Sequence, residues 1–179
     1  ILRILENSKL VEKQIDEIEA TIRVMKKTEL LKQKAEDYVP KVLEKIPLIY
    51  TPRSLRGVGY KWKINFNETA KKQAFCNVFP ELDHNELMGF MDEKKDFFVF
   101  IIKDETDLRV MNKRIETTKE LIKQQGIDLA EISLTGPSRL AKIFSALAIG
   151  DWLSYLVAVE KGIDPNEVVL IESLKKKLG

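Results

Sequence analysis

The sequence predicts an α/β fold, a three-layer sandwich with helices on both faces of a mainly parallel sheet, and three observations carry that prediction. Short apolar runs of strand length alternate with longer amphipathic stretches, the pattern of strands joined by helical crossovers. One run, Phe97 to Ile102 (FFVFII), is apolar at every position, as a strand covered on both faces requires. Turn and cap residues, among them Thr51-Pro52, Gly126, Thr135-Gly136-Pro137-Ser138 and Gly162, fall between the runs. Crossovers between parallel strands are right-handed, which makes the arrangement Rossmann-like. No internal repeat or low-complexity linker interrupts it.

The elements follow in order. Ser8 can cap a helix whose apolar positions Val11, Ile15, Ile18, Ile22 and Met25 follow three- and four-residue steps. Thr28 can start a second, through Leu30, Leu31, Ala35 and Tyr38, which Pro40 ends or kinks. Residues 1–45 therefore read as linker helices that pack on the domain formed by residues 46–179. Ile46 to Tyr50 (IPLIY) is too short for a helix and reads as the first strand, since Pro47 suits a strand's beginning. A helix then runs from about Ser54 to Lys72. Its Val58, Trp62, Phe66 and Ala70 recur every four residues as a buried stripe, and Glu68 falls off that stripe, where it can reach solvent or a ligand. Ala74 to Phe79 reads as a short buried strand. Pro80 to Glu86 lies just past its carboxyl end, where open α/β sheets bind ligands. After the FFVFII strand, Asp107 opens a helix with Val110, Ile115, Leu121 and Ile122 inward, and Gly126 ends it. Leu129 to Leu134 is another strand, followed by an apolar helix from Leu140 to Val159. Asp164 caps the last helix, with Pro165 in its first turn, running to Leu178.

Composition narrows the function classes. A chain of 179 residues that is 44% hydrophobic can build one full-sized core. Net charge is +2 with positive and negative residues intermixed, which leaves no electrostatic footprint for nucleic acid. The single cysteine, Cys76, reads as a small core residue without an intrachain partner and suits a reducing compartment, so a cytoplasmic location is expected. No apolar run approaches bilayer-spanning length, so no membrane partner is expected. GxGxxG, GxxxxGK[ST] and GxSxG are absent, and one histidine with one cysteine argues against a metal site, so no cofactor is implied. The remaining inventory of carboxylate, imidazole and ammonium suits proton transfer at a sugar or keto acid. Arg53 and Arg56, flanking Ser54 after the first strand, could hold a sugar phosphate, or could form a solvated pair at a helix start. By local sequence alone Glu68 reads first as a solvated helix charge and His84 as a helix cap, and Lys175, Lys176 and Lys177 fit the favoured end of a helix dipole.

KWKINFNETAKKQAFCNVFPELDHNELMGF (residues 61–90) and GDWLSYLVAVEKGIDPNEVVLIESLKKKL (residues 150–178) resemble the carboxyl-terminal sugar isomerase (SIS) domain of the bifunctional phosphoglucose/phosphomannose isomerases of archaea and some bacteria. The likeness extends from about Ile46 to the last residue. It is most specific at Asn67, Glu68, Ala70 and Lys71, at Pro80 to Leu82 with His84 to Glu86, and at Gly150, Asp151, Asp164 and Pro165. Lys61 stands where arginine is usual, Thr69 replaces an asparagine, and Trp152 stands at a variable position. None of these three is a catalytic position of the family.

The resemblance implies an aldose-ketose isomerase interconverting glucose 6-phosphate or mannose 6-phosphate with fructose 6-phosphate through a cis-enediol(ate). Glu68 matches the base that shuttles a proton between sugar carbons 2 and 1. His84 matches the histidine that assists ring opening and reaches into the neighbouring subunit's site, which implies a homodimer. A lysine of the last helix completes the ring-opening pair, with Lys175 favoured over Lys176 and Lys177. The physics agrees with these roles. A carboxylate in a partly dry cleft is a stronger base, imidazole exchanges protons near neutral pH, and ammonium steadies an oxyanion. Family members carry an amino-terminal SIS domain whose Ser/Thr-rich loop binds the substrate phosphate, and nothing before Ile46 supplies such a loop. The chain is therefore expected to be the second domain alone and inactive by itself, with Glu68 and His84 meeting at one rim of the sheet across two copies. A non-catalytic phosphosugar-binding or dimerisation module of the same fold is the alternative; retention of both Glu68 and His84 argues against a sensor.

Overall fold

The apolar run at the middle of the chain forms a strand shared by both helix layers. In the computed structural model, which describes residues 1–91 and 96–179, four strands lie parallel in one sheet. They are β1 (Ile46–Pro52), β2 (Phe75–Phe79), β3 (Phe97–Lys103) and β4 (Asp128–Ser133), in the order β2-β1-β3-β4. The interior strands β1 and β3 alternate their buried side chains between two cores. Ile49, Phe98, Phe100 and Ile102 point one way, and Leu48, Tyr50, Val99 and Ile101 the other.

Helices fill both layers. The described residues form α1 (Leu2–Asn7), α2 (Ile15–Met25), α3 (Thr28–Glu36), α4 (Val39–Val42), α5 (Arg56–Glu68), α6 (Leu82–Gly89), α7 (Arg109–Gln124), α8 (Arg139–Glu160) and α9 (Val169–Leu178). On the first face α5 and α8 bring Trp62, Phe66 and Leu153 together with Leu31, Ala35 and Val42 of α3 and α4. On the second, α6 and α7 contribute Leu82, Ile115 and Ile122. Val58, Trp62, Phe66 and Ala70 are all buried, so the four-residue stripe lies inward as its spacing predicts. Burial of each large side chain in this stripe contributes about 1.5–3 kcal/mol. Gly59 lets α5 approach β1 closely, since a Cβ there would lie 2.9 Å from the Thr51 methyl carbon.

Several expectations are corrected. Ser8 ends α1 instead of opening a helix, and α2 begins only at Ile15, where the Glu6 carboxylate accepts the Gln14 backbone N–H at 2.7 Å. α5 stops at Glu68, short of Lys72, and is preceded by a 3-10 turn over Arg53–Leu55. β2 is an edge strand, so Phe75 is exposed and Cys76 only half-buried. Burial pushes the Cys76 thiol's pKa up while Lys63 and Arg56 pull it the other way. Val110 and Leu121 face outward on α7, leaving Ile115 and Ile122 to pack. Asp164 accepts the Asn166 N–H at 2.8 Å and closes a turn; α9 starts later, at Val169. By length and composition α8 could cross a membrane, contrary to the sequence reading. Here it is a core helix, with Ala141, Ala146, Leu153 and Val157 buried.

A charge cluster ties β3, α7 and β4 together. The buried Lys103 pairs with Glu116 at 2.9 Å and Glu131 at 3.0 Å, and Lys119 bridges the same two glutamates. Bonds from Lys119 and Lys103 hold the Glu116 pKa below the usual carboxylate range. At Glu131 burial pushes upward, but the same two lysines outweigh it. Asp104, also opposed by burial, is held down by Lys142 at 2.8 Å and by Thr106. Carboxylates with depressed folded values stabilise fully above their unfolded values and lose that contribution as pH falls through the folded ones. Thermal stability is therefore expected to hold from neutral pH down to about 5 and to fall below it. Lys103→Met should flatten that acid limb in thermal melts recorded against pH.

Candidate functional site

Chain direction decides which residues can meet. β1 delivers the chain to its carboxyl rim, where Arg53 and Arg56 stand exposed, and α5 then descends to the opposite rim and ends at Glu68. β2 climbs back, so His84, in the first turn of α6, returns to the carboxyl rim. α8 descends again, and α9 starts on the amino side. The sequence-predicted residues therefore divide into two groups. Arg53, Arg56 and His84 share the carboxyl rim, while Glu68 and the last helix share the amino rim. The five-residue strand β2 separates Glu68 from His84 by roughly 16 Å along the strand direction. The expectation that Glu68 and His84 meet at one rim concerns two copies; within one copy they lie at opposite rims.

Glu68 is exposed and opens onto a cavity of about 480 Å³. Asn67, Lys71, Lys72 and Gln73 form one wall and Val168 to Ile171, the entry of α9, the other. The partly dry cleft expected around this carboxylate is not what one copy presents, since Glu68 is exposed at the cavity's edge. Lys71 turns back with a left-handed backbone (φ 51°), and its ammonium donates to the Glu68 carbonyl and, at 3.1 Å, to the Pro165 carbonyl. Lys175 lies one helical turn past Ile171 and pairs with Glu172 at 2.9 Å, both partners being exposed. A larger apolar hollow of about 930 Å³ lies between α1, α2 and the start of α8, lined by residues such as Leu5, Ile22 and Phe144. It holds none of the predicted site residues.

His84 owes its placement to its neighbours in α6. Asp83 accepts from Arg114 at 2.9 Å and from Thr118 at 2.8 Å, fixing α6 to α7. Glu86 accepts from the Tyr50 hydroxyl and the Asn77 amide, both at 2.5 Å. Tyr50 and Asn77 are register partners on β1 and β2, so they present side chains to the same face and Glu86 anchors α6 on both strands at once. Burial, then the bond to Glu86, pushes the Tyr50 pKa far above its ordinary value and keeps the phenol a donor. Between them, Asp83 and Glu86 leave the imidazole of His84 outward on the exposed side of the helix.

A second polar group includes Lys61 and Asp151, positions that the family resemblance marks without joining. Buried Asn65 donates to Asp151 at 2.6 Å and accepts from Lys61, and Lys61 lies 3.5 Å from Asp151, linking α5 to α8 one turn above Glu68. The signal was available in part: Asn65 follows Trp62 by three residues, close enough to the buried stripe to need a polar partner. Asp151 lies too far along the chain for spacing to identify it as that partner.

Known proteins resemble the chain in sequence and in fold. A bifunctional phosphoglucose/phosphomannose isomerase of Thermoplasma volcanium is 34% identical over 171 residues, covering 94% of this chain and 55% of the relative. Another of the same name, from Thermoplasma acidophilum, is 41% identical over 135 residues, covering 75% of this chain and 42% of the relative. The chain thus spans about half the length of the curated relatives it matches. A glucose-6-phosphate isomerase like protein from Thermus thermophilus shares the fold, with a TM-score of 0.61 at 21% identity over 75% of this chain and 45% of that one. The family model for the bacterial phospho-glucose isomerase C-terminal SIS domain matches residues 31–178, and the chain belongs to that family.

Proposed function

We propose that the chain is the carboxyl-terminal half of an aldose-ketose isomerase that interconverts glucose 6-phosphate or mannose 6-phosphate with fructose 6-phosphate. Its relatives carry the name of that activity. The observation that carries the reading is Glu68, a carboxylate exposed at a helix end and facing a cavity closed on its far side by the last helix. In this reading the C1–O5 bond breaks as His84 gives its proton to the ring oxygen while the anomeric hydroxyl's proton passes to solvent, and Lys175 steadies the oxygen that is negatively charged between the two transfers. Glu68 takes the proton from carbon 2, the cis-enediol(ate) forms as a proton passes from the carbon 2 oxygen to the carbon 1 oxygen, and Glu68 returns its own proton to carbon 1.

The two rims explain why such a site needs more than one copy. Glu68 and His84 stand further apart than one hexose can bridge, so His84 acts on a sugar held by a second copy, and the assembly is a homodimer. Arg53 and Arg56 share His84's rim and approach the same sugar phosphate. An amino-terminal SIS domain completes the phosphate site and covers Glu68. A single unpaired cysteine is compatible with a cytoplasmic setting.

The test compares this chain alone with a polypeptide in which the amino-terminal half of the Thermoplasma volcanium relative precedes it. The joined polypeptide is expected to convert fructose 6-phosphate, and the isolated chain is not. Turnover by the isolated chain, or none by the joined form, contradicts the proposal.

A further inference from the structure

Helix α9 has little to hold it in place. None of its residues is buried, and Val169, Leu170, Leu174 and Leu178 are exposed. On the body of the domain it meets the cavity beside Glu68. Lys71 crosses between the end of α5 and the segment that leads into α9, through the carbonyls of Glu68 and Pro165. The last carbonyls of a helix have no partners within the helix, so the Glu68 carbonyl is open to such a donor. The backbone of Lys71 is also unusual. At φ 51° it occupies the left-handed region, which disfavours any residue with a Cβ and which glycine adopts freely. Lys9 shares that backbone (φ 56°) in an exposed turn, so what sets Lys71 apart is its pair of carbonyl contacts. Asp164, whose carboxylate caps the Asn166 N–H, shapes the turn that aims the Pro165 carbonyl at the ammonium.

We propose that Lys71 is a positioning residue: bonded to the Glu68 and Pro165 carbonyls, it pins the entry of α9 against the helix end that carries Glu68. This sets the separation between the Glu68 carboxylate and the lysine of the last helix. The inference rests on the reading above in which Glu68 and Lys175 serve one sugar. Lys71 moves no proton itself.

Three variants test it, with hydrogen exchange of this chain as the first readout. In Lys71→Met and Lys71→Gly the amides of α9 are expected to exchange about tenfold faster, and in Lys71→Arg at the parental rate, since a guanidinium can serve both carbonyls. Lys71→Gly relieves the left-handed backbone, so its melting temperature should equal or exceed the parent's even as α9 loosens. A merely structural lysine would lower it. In the joined polypeptide, Lys71→Met and Lys71→Gly should lower kcat about tenfold to a hundredfold with KM little changed, and Lys71→Arg should restore it. Unchanged α9 exchange in both Lys71→Met and Lys71→Gly overturns the proposal, as does faster exchange with parental kcat. Glu68→Gln, run alongside, separates the two ideas. If that variant keeps parental turnover, the reading of Glu68 has failed, and the exchange rates alone decide whether Lys71 is a clamp.

Discussion

Glu68→Gln in the joined polypeptide is expected to slow isomerisation about a thousandfold while the melting temperature holds. The amide keeps the shape and hydrogen-bonding reach of the carboxylate but cannot accept a proton from carbon at neutral pH. Stability should not suffer, because the side chain is exposed. Position argues the same way. Glu68 is the last residue of α5, a helix with no basic residue in its final turn, so its negative charge faces the negative end of the helix dipole. A carboxylate placed against the local field is a poor structural choice, and neutralising it is expected to leave the helix as stable or slightly more so. Loss of turnover without loss of stability distinguishes a proton-transferring group from a surface charge. Steady-state kinetics beside a thermal melt measures both.

Gly150→Ala should be the most damaging small substitution in the core. Its new Cβ would stand 2.5 Å from the Trp62 indole nitrogen and 2.6 Å from the adjacent ring carbon, distances that no packed pair sustains. Trp62 has nowhere to go, since it is fully buried, meets Phe100 edge-on at 5.4 Å between ring centroids, and donates its indole N–H to the Ala146 carbonyl at 2.8 Å. Overpacking and loss of that buried hydrogen bond together cost about 3–5 kcal/mol, a large part of the stability of an ordinary domain. The melting temperature is expected to fall by about 10 °C. Adding Trp62→Phe, which withdraws the offending ring atoms, should return part of the loss, so the two changes are not additive in a double-mutant cycle. Independent, additive losses would show that the close approach of α8 to α5 has been misplaced.

The sheet was legible because its strands are of strand length, and β3 is apolar throughout. The stripe through Val58, Trp62 and Phe66 was legible because helical periodicity and burial coincide there. Helix starts were less so. Ser8 and Asp164 both carry capping side chains, yet Ser8 closes α1, and Asp164 turns back on Asn166 before α9 begins. Outward Val110 and Leu121 show periodicity read too broadly, since the inner face of α7 is carried by Met111, Ile115, Thr118 and Ile122. The division of the site between two rims followed from elements already in view. A residue that ends a helix before a parallel strand and a residue that follows the same strand must lie at opposite ends of it. Partners distant in sequence, such as Asp151 for Asn65 and Pro165 for Lys71, carry no local signature.

The most direct test of a site built from two copies is to mix two disabled ones. Glu68→Gln and His84→Ala versions of the joined polypeptide, each inactive alone, are unfolded, combined in equal amounts and refolded together. Mixed dimers then hold one site with both native groups, and about a quarter of the parental isomerase activity is expected to return. A mixture as inactive as its components would contradict the assignment of Glu68 and His84 to one sugar across two copies.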